Sequence, residues 1–166
     1  MSYILNIETA TKNCSVALAK DGKTIVCKEL ATENFSHAEK SHVFIEQILV
    51  ESNVQFSELN AIAVSQGPGS YTGLRIGVSS AKGFSYALNI PLIAVDTLQL
   101  IAKQINIDKG IILPMIDARR MEVFSAMYDS NYNQIRATQA EIIDESSYQE
   151  NSKLPIALID AMLPAS

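Results

Sequence analysis

The chain states one pattern twice. Residues 4–8, Ile-Leu-Asn-Ile-Glu, align with residues 113–117, Leu-Pro-Met-Ile-Asp; the same alignment brings Val16-Ala17-Leu18-Ala19 close to Phe124-Ser125-Ala126-Met127, and Asp21 near Asp129. Each copy is an apolar strand closed by a carboxylate, then a short turn, then a second strand. A duplication constrains architecture more than any single motif, because both copies have to build the same local structure. Two lobes follow, residues 1–108 and a shorter, partial 109–166, with the boundary near Asp108-Lys109-Gly110.

The elements that fill the pattern can be read in order. Tyr3 to Glu8 and Cys14 to Lys20 alternate and are β-rich, and Asp21-Gly22 is a hairpin signal leading into Lys23 to Leu30. From His37 to Ser52 the period becomes helical, with Phe44, Ile45, Ile48 and Leu49 as the apolar stripe. Val43 and Val50, seven residues apart, fall on roughly the opposite side and predict a second neighbour for this helix, or else are stray exposed valines. A buried strand at 61–65 follows, then a glycine segment and a helix to about Leu88, a strand at Pro91 to Val95, and a helix from Thr97 to Gln104 capped by Asp96 or Thr97. The first hundred residues thus read βββαβαβα. Ile111 to Asp117, Met121 to Tyr128 and about Gln134 to Gln139 then restart the strand meander.

The glycine segment runs Ser-Gln-Gly-Pro-Gly-Ser-Tyr-Thr-Gly-Leu-Arg-Ile-Gly over residues 65–77. Two readings are open. Its amides cradle an anion, with Gly69 and Ser70 as contacts, or it is a tight strand-to-helix turn capped by Ser70 or Thr72. Pro68 removes one amide and no Gly-Lys-Ser/Thr follows, so the nucleotide P-loop signature is missing. Gly73, Gly77, Ala81 and Ser85 recur every four residues and make one small-residue helical face, which lets another backbone come close. With Val43 and Val50, the residues Gly73, Gly77 and Ala81 form the expected partner-binding surface.

Composition narrows the function classes. A net charge of −5 and a pI near 5.0 argue against a broad nucleic-acid or anionic-membrane surface on this chain alone. Glu8 and Lys12 are unlike a signal peptide and no apolar run reaches spanning length, so the expected location is the cytoplasm. Cys14 and Cys27 lie diagonally across the first hairpin and are expected to be buried free thiols. His37 and His42 are the only histidines; five residues turn about 140° on a helix at roughly 100° per residue, so they do not share a metal. Glu8 and Asp117 close the duplicated strands and are candidates for a catalytic or cofactor-positioning pair, against the reading that both are polar strand ends. The turns after them, 9–13 and 118–121, lack glycine for close phosphate approach. Arg119 and Arg120 either touch a phosphate or a partner carboxylate, or are solvated turn residues. Ser70, Tyr71 and Thr72 sit in no nucleophile motif. No catalytic residue, metal or cofactor is assigned.

A duplicated βββαβα lobe with an acidic residue closing the first strand resembles the actin, hexokinase and Hsp70 superfamily, the actin-like ATPase (ASKHA, ribonuclease H-like) fold. Residues 4–10 (Ile-Leu-Asn-Ile-Glu-Thr-Ala), 67–77 (Gly-Pro-Gly-Ser-Tyr-Thr-Gly-Leu-Arg-Ile-Gly) and 115–123 (Met-Ile-Asp-Ala-Arg-Arg-Met-Glu-Val) resemble the TsaB family, also called YeaZ, and the resemblance covers essentially the whole chain. The family usually runs on through further helix of the second lobe, past the equivalent of Ser166. The resemblance implies a non-catalytic partner in making N6-threonylcarbamoyladenosine in tRNA, a silent paralogue of the transferase TsaD that binds and activates it, joined by the ATPase TsaE. It implies a homodimer when alone, contact with tRNA only through the complex, and no membrane. The rival readings are an ATP-hydrolysing or metal-dependent enzyme of the same superfamily, or a glycoprotease-like peptidase acting on TsaD.

Overall fold

A computed structural model describes residues 1–31, 37–144, 147–148 and 155–160, which divide into two units, Met1–Val95 and Asp96–Ser166. At the centre of the first unit's sheet stands β1 (Tyr3–Glu8), antiparallel to β2 (Asn13–Lys20) and parallel to β4 (Leu59–Gly67). Strands β3 (Lys23–Ala31) and β5 (Leu92–Asp96) form the edges, giving the order β3-β2-β1-β4-β5. Asp21 and Gly22 both have positive φ, 48° and 80°, the requirement of the two-residue type I′ turn that matches strand twist.

Alternation decides the buried face. Leu5, Ile7, Val16 and Leu18 form one core cluster with Ile62 and Val64 of β4 and with Ile45, Ile48 and Leu49 of α1 (His37–Ser52). The α1 stripe is therefore the one its period predicts. The helix ends where Asn53 turns left-handed at φ 53°; Asn53 N–H donates to the Val50 carbonyl (3.1 Å) and Val54 N–H to the Leu49 carbonyl (3.0 Å), a Schellman closure. Helix α2 (Tyr71–Leu88) starts at Ser70, whose Oγ accepts from the Gly73 amide at 3.3 Å, and stops at left-handed Asn89. A short 3-10 turn, Phe56–Glu58, which the sequence pattern does not announce, links α1 to β4.

The second unit repeats the plan. Strand β6 (Ile111–Arg119) is antiparallel to β7 (Glu122–Asp129) and parallel to β9 (Ile156–Asp160), in the order β8-β7-β6-β9 with β8 (Gln134–Ile142) at the edge. This is the arrangement of β3-β2-β1-β4, so the duplication extends from sequence to topology. Strand β9 is absent from the sequence reading, because five residues of Ile-Ala-Leu-Ile-Asp carry no period that separates strand from helix. Helix α3 (Thr97–Ala102), capped by Asp96, buries Leu98, Ile101 and Ala102 against Ile112, Ile116, Ala126 and Tyr128. That burial groups it with the second unit, so the units divide at 95/96 rather than at the expected 108/109.

Candidate functional site

The glycine loop closes onto its own chain. The Ser70 amide donates to the Ala10 carbonyl at 2.6 Å, and Thr9 Oγ1 donates to the Gly73 carbonyl at 2.8 Å. A Cβ added at Gly69 would meet the Ala10 carbonyl, one at Gly73 the Thr9 carbonyl, and one at Gly77 the Thr9 hydroxyl. The small residues are thus needed so that α2 can lie against the β1–β2 turn, and the room a phosphate would occupy is filled by residues 9 and 10. Of the two readings of this loop, the strand-to-helix turn is the one the geometry supports.

The small-residue face itself is corrected. Gly73, Gly77, Ala81 and Ser85 are all buried within the first unit, and Ala81 belongs to its core cluster. The close approach that Gly73, Gly77 and Ala81 permit is to this chain's own Thr9 and core, so they leave the expected partner surface. Gly83, by contrast, is exposed with nothing within 4 Å of its would-be Cβ.

Glu8 and Asp117 do the same work in their two units. One Glu8 carboxylate oxygen accepts from the Ala10 amide at 2.6 Å and the other from the Ser65 hydroxyl; Asp117 accepts from the Arg119 amide at 2.7 Å. Each carboxylate ends a central strand and ties down the amide two residues on. After Asp117 the chain turns through Arg119, Arg120 and Met121, all at positive φ (72°, 58° and 67°), with Met121 exposed. These roles are those of polar strand ends, and neither residue is left poised for acid–base chemistry by them.

The cysteines divide. Burial, and then the charge of Glu8, push the Cys14 thiol up, away from a reactive thiolate. Cys27 is exposed on the edge strand β3, which corrects the expectation that both thiols are buried; Cys14 pairs across to Leu30 and Cys27 to Ala17, and both are free. Among the described residues no group of three or more His, Cys, Asp or Glu is placed to hold a metal, and the His37 side chain lies outside those described. Among them also, no helix is long and apolar enough to cross a membrane.

What remains as a surface is the outer side of α1. Val43 and Val50 are 45 % and 82 % exposed, while Ile45 and Ile48 are fully buried, so the two sides of the helix separate as the spacing requires. The His42 ring lies 6.0 Å from Phe84, which stacks on Phe56 at 5.6 Å. At the end of α1 an open groove of about 820 Å³ runs between Leu49, Val50, Val54, Phe56 and Leu88, with Glu46 on its lining. Sequence reasoning found Val50 but not this groove, because three separated segments build it; the left-handed Asn53 and the capping box of Gln55 and Glu58 are its only local signals.

A duplicated sheet of this order, with helices following strands in the β1-β2-β3-α1-β4-α2 sequence, defines a protein of the actin-like, ribonuclease H-like class. Residues 28–157 match the family model described as TsaD: tRNA N6-adenosine threonylcarbamoyltransferase, and the chain belongs to that family. It is 38 % identical over 134 residues to the Escherichia coli tRNA threonylcarbamoyladenosine biosynthesis protein TsaB, covering 80 % of this chain and 57 % of that protein. For the Bacillus subtilis protein of the same name the identity is 33 %, over 75 % of this chain and 54 % of the relative. A crystal structure of a Pseudomonas aeruginosa protein, described as uncharacterized with similarity to peptidase YEAZ, superposes with a TM-score of 0.81 at 26 % identity, over 99 % of this chain and 86 % of that one. The TsaB resemblance read from residues 4–10, 67–77 and 115–123 is borne out by these relatives. The chain spans a little over half the length of the two curated relatives.

Proposed function

We propose that this chain is a non-catalytic subunit in the synthesis of N6-threonylcarbamoyladenosine in tRNA, acting in the cytoplasm by binding the transferase TsaD and activating it. TsaE joins the assembly, and tRNA is met only through it. The observation that carries this reading is the closed glycine loop: Thr9 and Ala10 fill the space over Gly69, Gly73 and Gly77, and both Glu8 oxygens are held by the chain's own donors. A fold whose relatives include a transferase is left, at this loop, with positions that serve packing. The exposed strip of Val43 and Val50 then supplies the means of action by contact.

The test is direct. The isolated chain is expected to hydrolyse ATP no faster than a buffer blank and to carry substoichiometric iron and zinc, while purified TsaD retains it on a column. Turnover of ATP, or about one equivalent of metal that disappears in His37→Ala, would overturn the non-catalytic reading.

A further inference from the structure

The groove at the C-terminal ends of α1 and α2 has a chemistry of its own. Its floor is apolar: Leu49 and Val54 are 4 % and 6 % exposed, and Val50 and Phe56 stand at its edge. At about 820 Å³ it is in the size range that takes ligands or several side chains. Its charge is one-sided. Glu46 lines it, and no Lys, Arg or His does. Both bounding helices end here, α1 through Leu49, Val50 and Asn53 and α2 through Leu88, and neither has a basic residue in its last turn. A helix C-terminus carries roughly half a negative charge on its free carbonyls, so two ends and one carboxylate face the same opening. Glu51, the next acid along α1, is already paired with Lys28 at 2.7 Å.

We infer that this groove receives a cationic polypeptide segment of the partner, one that sets an apolar side chain on Leu49, Val54 and Phe56 and holds a Lys or Arg head toward Glu46 and the two helix ends. Carboxylate and phosphate groups are repelled from it by the same field. A polypeptide fits better than a small amphiphilic cation, because the apolar surface continues outside the groove along α1 to Val43. The inference rests on the proposed pairing with TsaD and adds which charge the partner brings and where it lands.

The probe is purified TsaD, with its dissociation constant from the full chain measured at low and high salt. Glu46→Gln keeps the shape and removes the charge; Glu46→Lys reverses it. At low salt the first is expected to weaken pairing about threefold and the second about tenfold, and both gaps should close at high salt, as exposed charges are screened. Val43→Glu, outside the groove, reports separately on the pairing surface. If Val43→Glu abolishes pairing while both Glu46 variants bind like the parent or more tightly, the groove inference fails and the pairing stands. If the parent chain does not bind TsaD, or Val43→Glu binds as well as it, the pairing reading fails and the groove inference falls with it.

Discussion

At the scale of single residues, the glycines of α2 divide by what lies beyond them. Gly73 faces a backbone carbonyl, that of Thr9, which has no rotamer to change; Gly77 faces the Thr9 hydroxyl, which can swing away at the loss of its bond to the Gly73 carbonyl; Gly83 faces open solvent. An alanine scan should therefore show opposite signs on one helix. Gly73→Ala is expected to destabilise by about 1–3 kcal/mol, the usual range for overpacking a filled site. Gly83→Ala is expected to stabilise by about 1 kcal/mol, since glycine in an exposed helix interior is that much poorer than alanine. Gly77→Ala should fall between them. Thermal melts of the three variants check the order, and a Gly73→Ala protein as stable as the parent would show that α2 does not press on the β1–β2 turn. The every-fourth-residue pattern of small side chains was legible in the sequence as a demand for close approach. It could not say whose backbone approaches, and the answer lay 64 residues away in the Thr9–Gly73 contact.

At the scale of elements, the second unit holds its edge by a polar knot. Arg136 of β8 donates to Glu141 at 2.6 Å and to the fully buried Ser125 of β7 at 2.5 Å; Ser125 and the Tyr148 hydroxyl donate to the same Glu141 oxygen, the latter at 2.6 Å. Burial pushes the Glu141 carboxyl up, but the hydrogen bonds from Arg136, Ser125 and Tyr148, with the Arg136 charge, outweigh it and hold the group at about 2. A carboxylate held below its ordinary value contributes stability that is complete above that value and is lost as pH falls toward the lowered one. Here the window runs from 4.5 down to about 2. Urea unfolding of the parent should weaken through that window, while Glu141→Gln should be less stable near neutral pH and show a shallower acid limb. Identical acid limbs would show that the knot contributes nothing to folding. None of this knot was readable beforehand, since Ser125, Arg136, Glu141 and Tyr148 share no spacing and meet only when β7 and β8 pair. The β1-β2-β3 meander and α1 were readable, because Asp21-Gly22 fixes a turn and the α1 stripe has an unbroken helical period. The limit is general to this chain: patterns of local period survive into the fold, and arrangements assembled from distant segments, such as β9 beside β6, do not show in it.

At the scale of the whole molecule, the question is what the outer side of α1 is for. A valine 45 % exposed and another 82 % exposed, two turns apart on a helix whose inner side is sealed, contribute nothing to the core that Ile45 and Ile48 already fill. An apolar strip of this kind is a docking feature if another chain covers it, and a two-fold copy of the same chain is the simplest cover when TsaD is absent, because a self-complementary patch closes on itself. The isolated protein is therefore expected to sediment as a dimer at high micromolar concentration. Val43→Glu should melt like the parent, since surface substitutions shift stability by less than about 0.5 kcal/mol. It should nevertheless sediment as a monomer and fail to co-elute with TsaD, because an unpaired carboxylate would have to be desolvated at the contact, at a cost of a few kcal/mol. Ile48→Glu is the opposing control: that side chain is fully buried, and a carboxylate there should unfold the first unit outright. A Val43→Glu protein that dimerises and still pairs would move the interface off α1, whereas one that fails to fold would show that the strip belongs to the core.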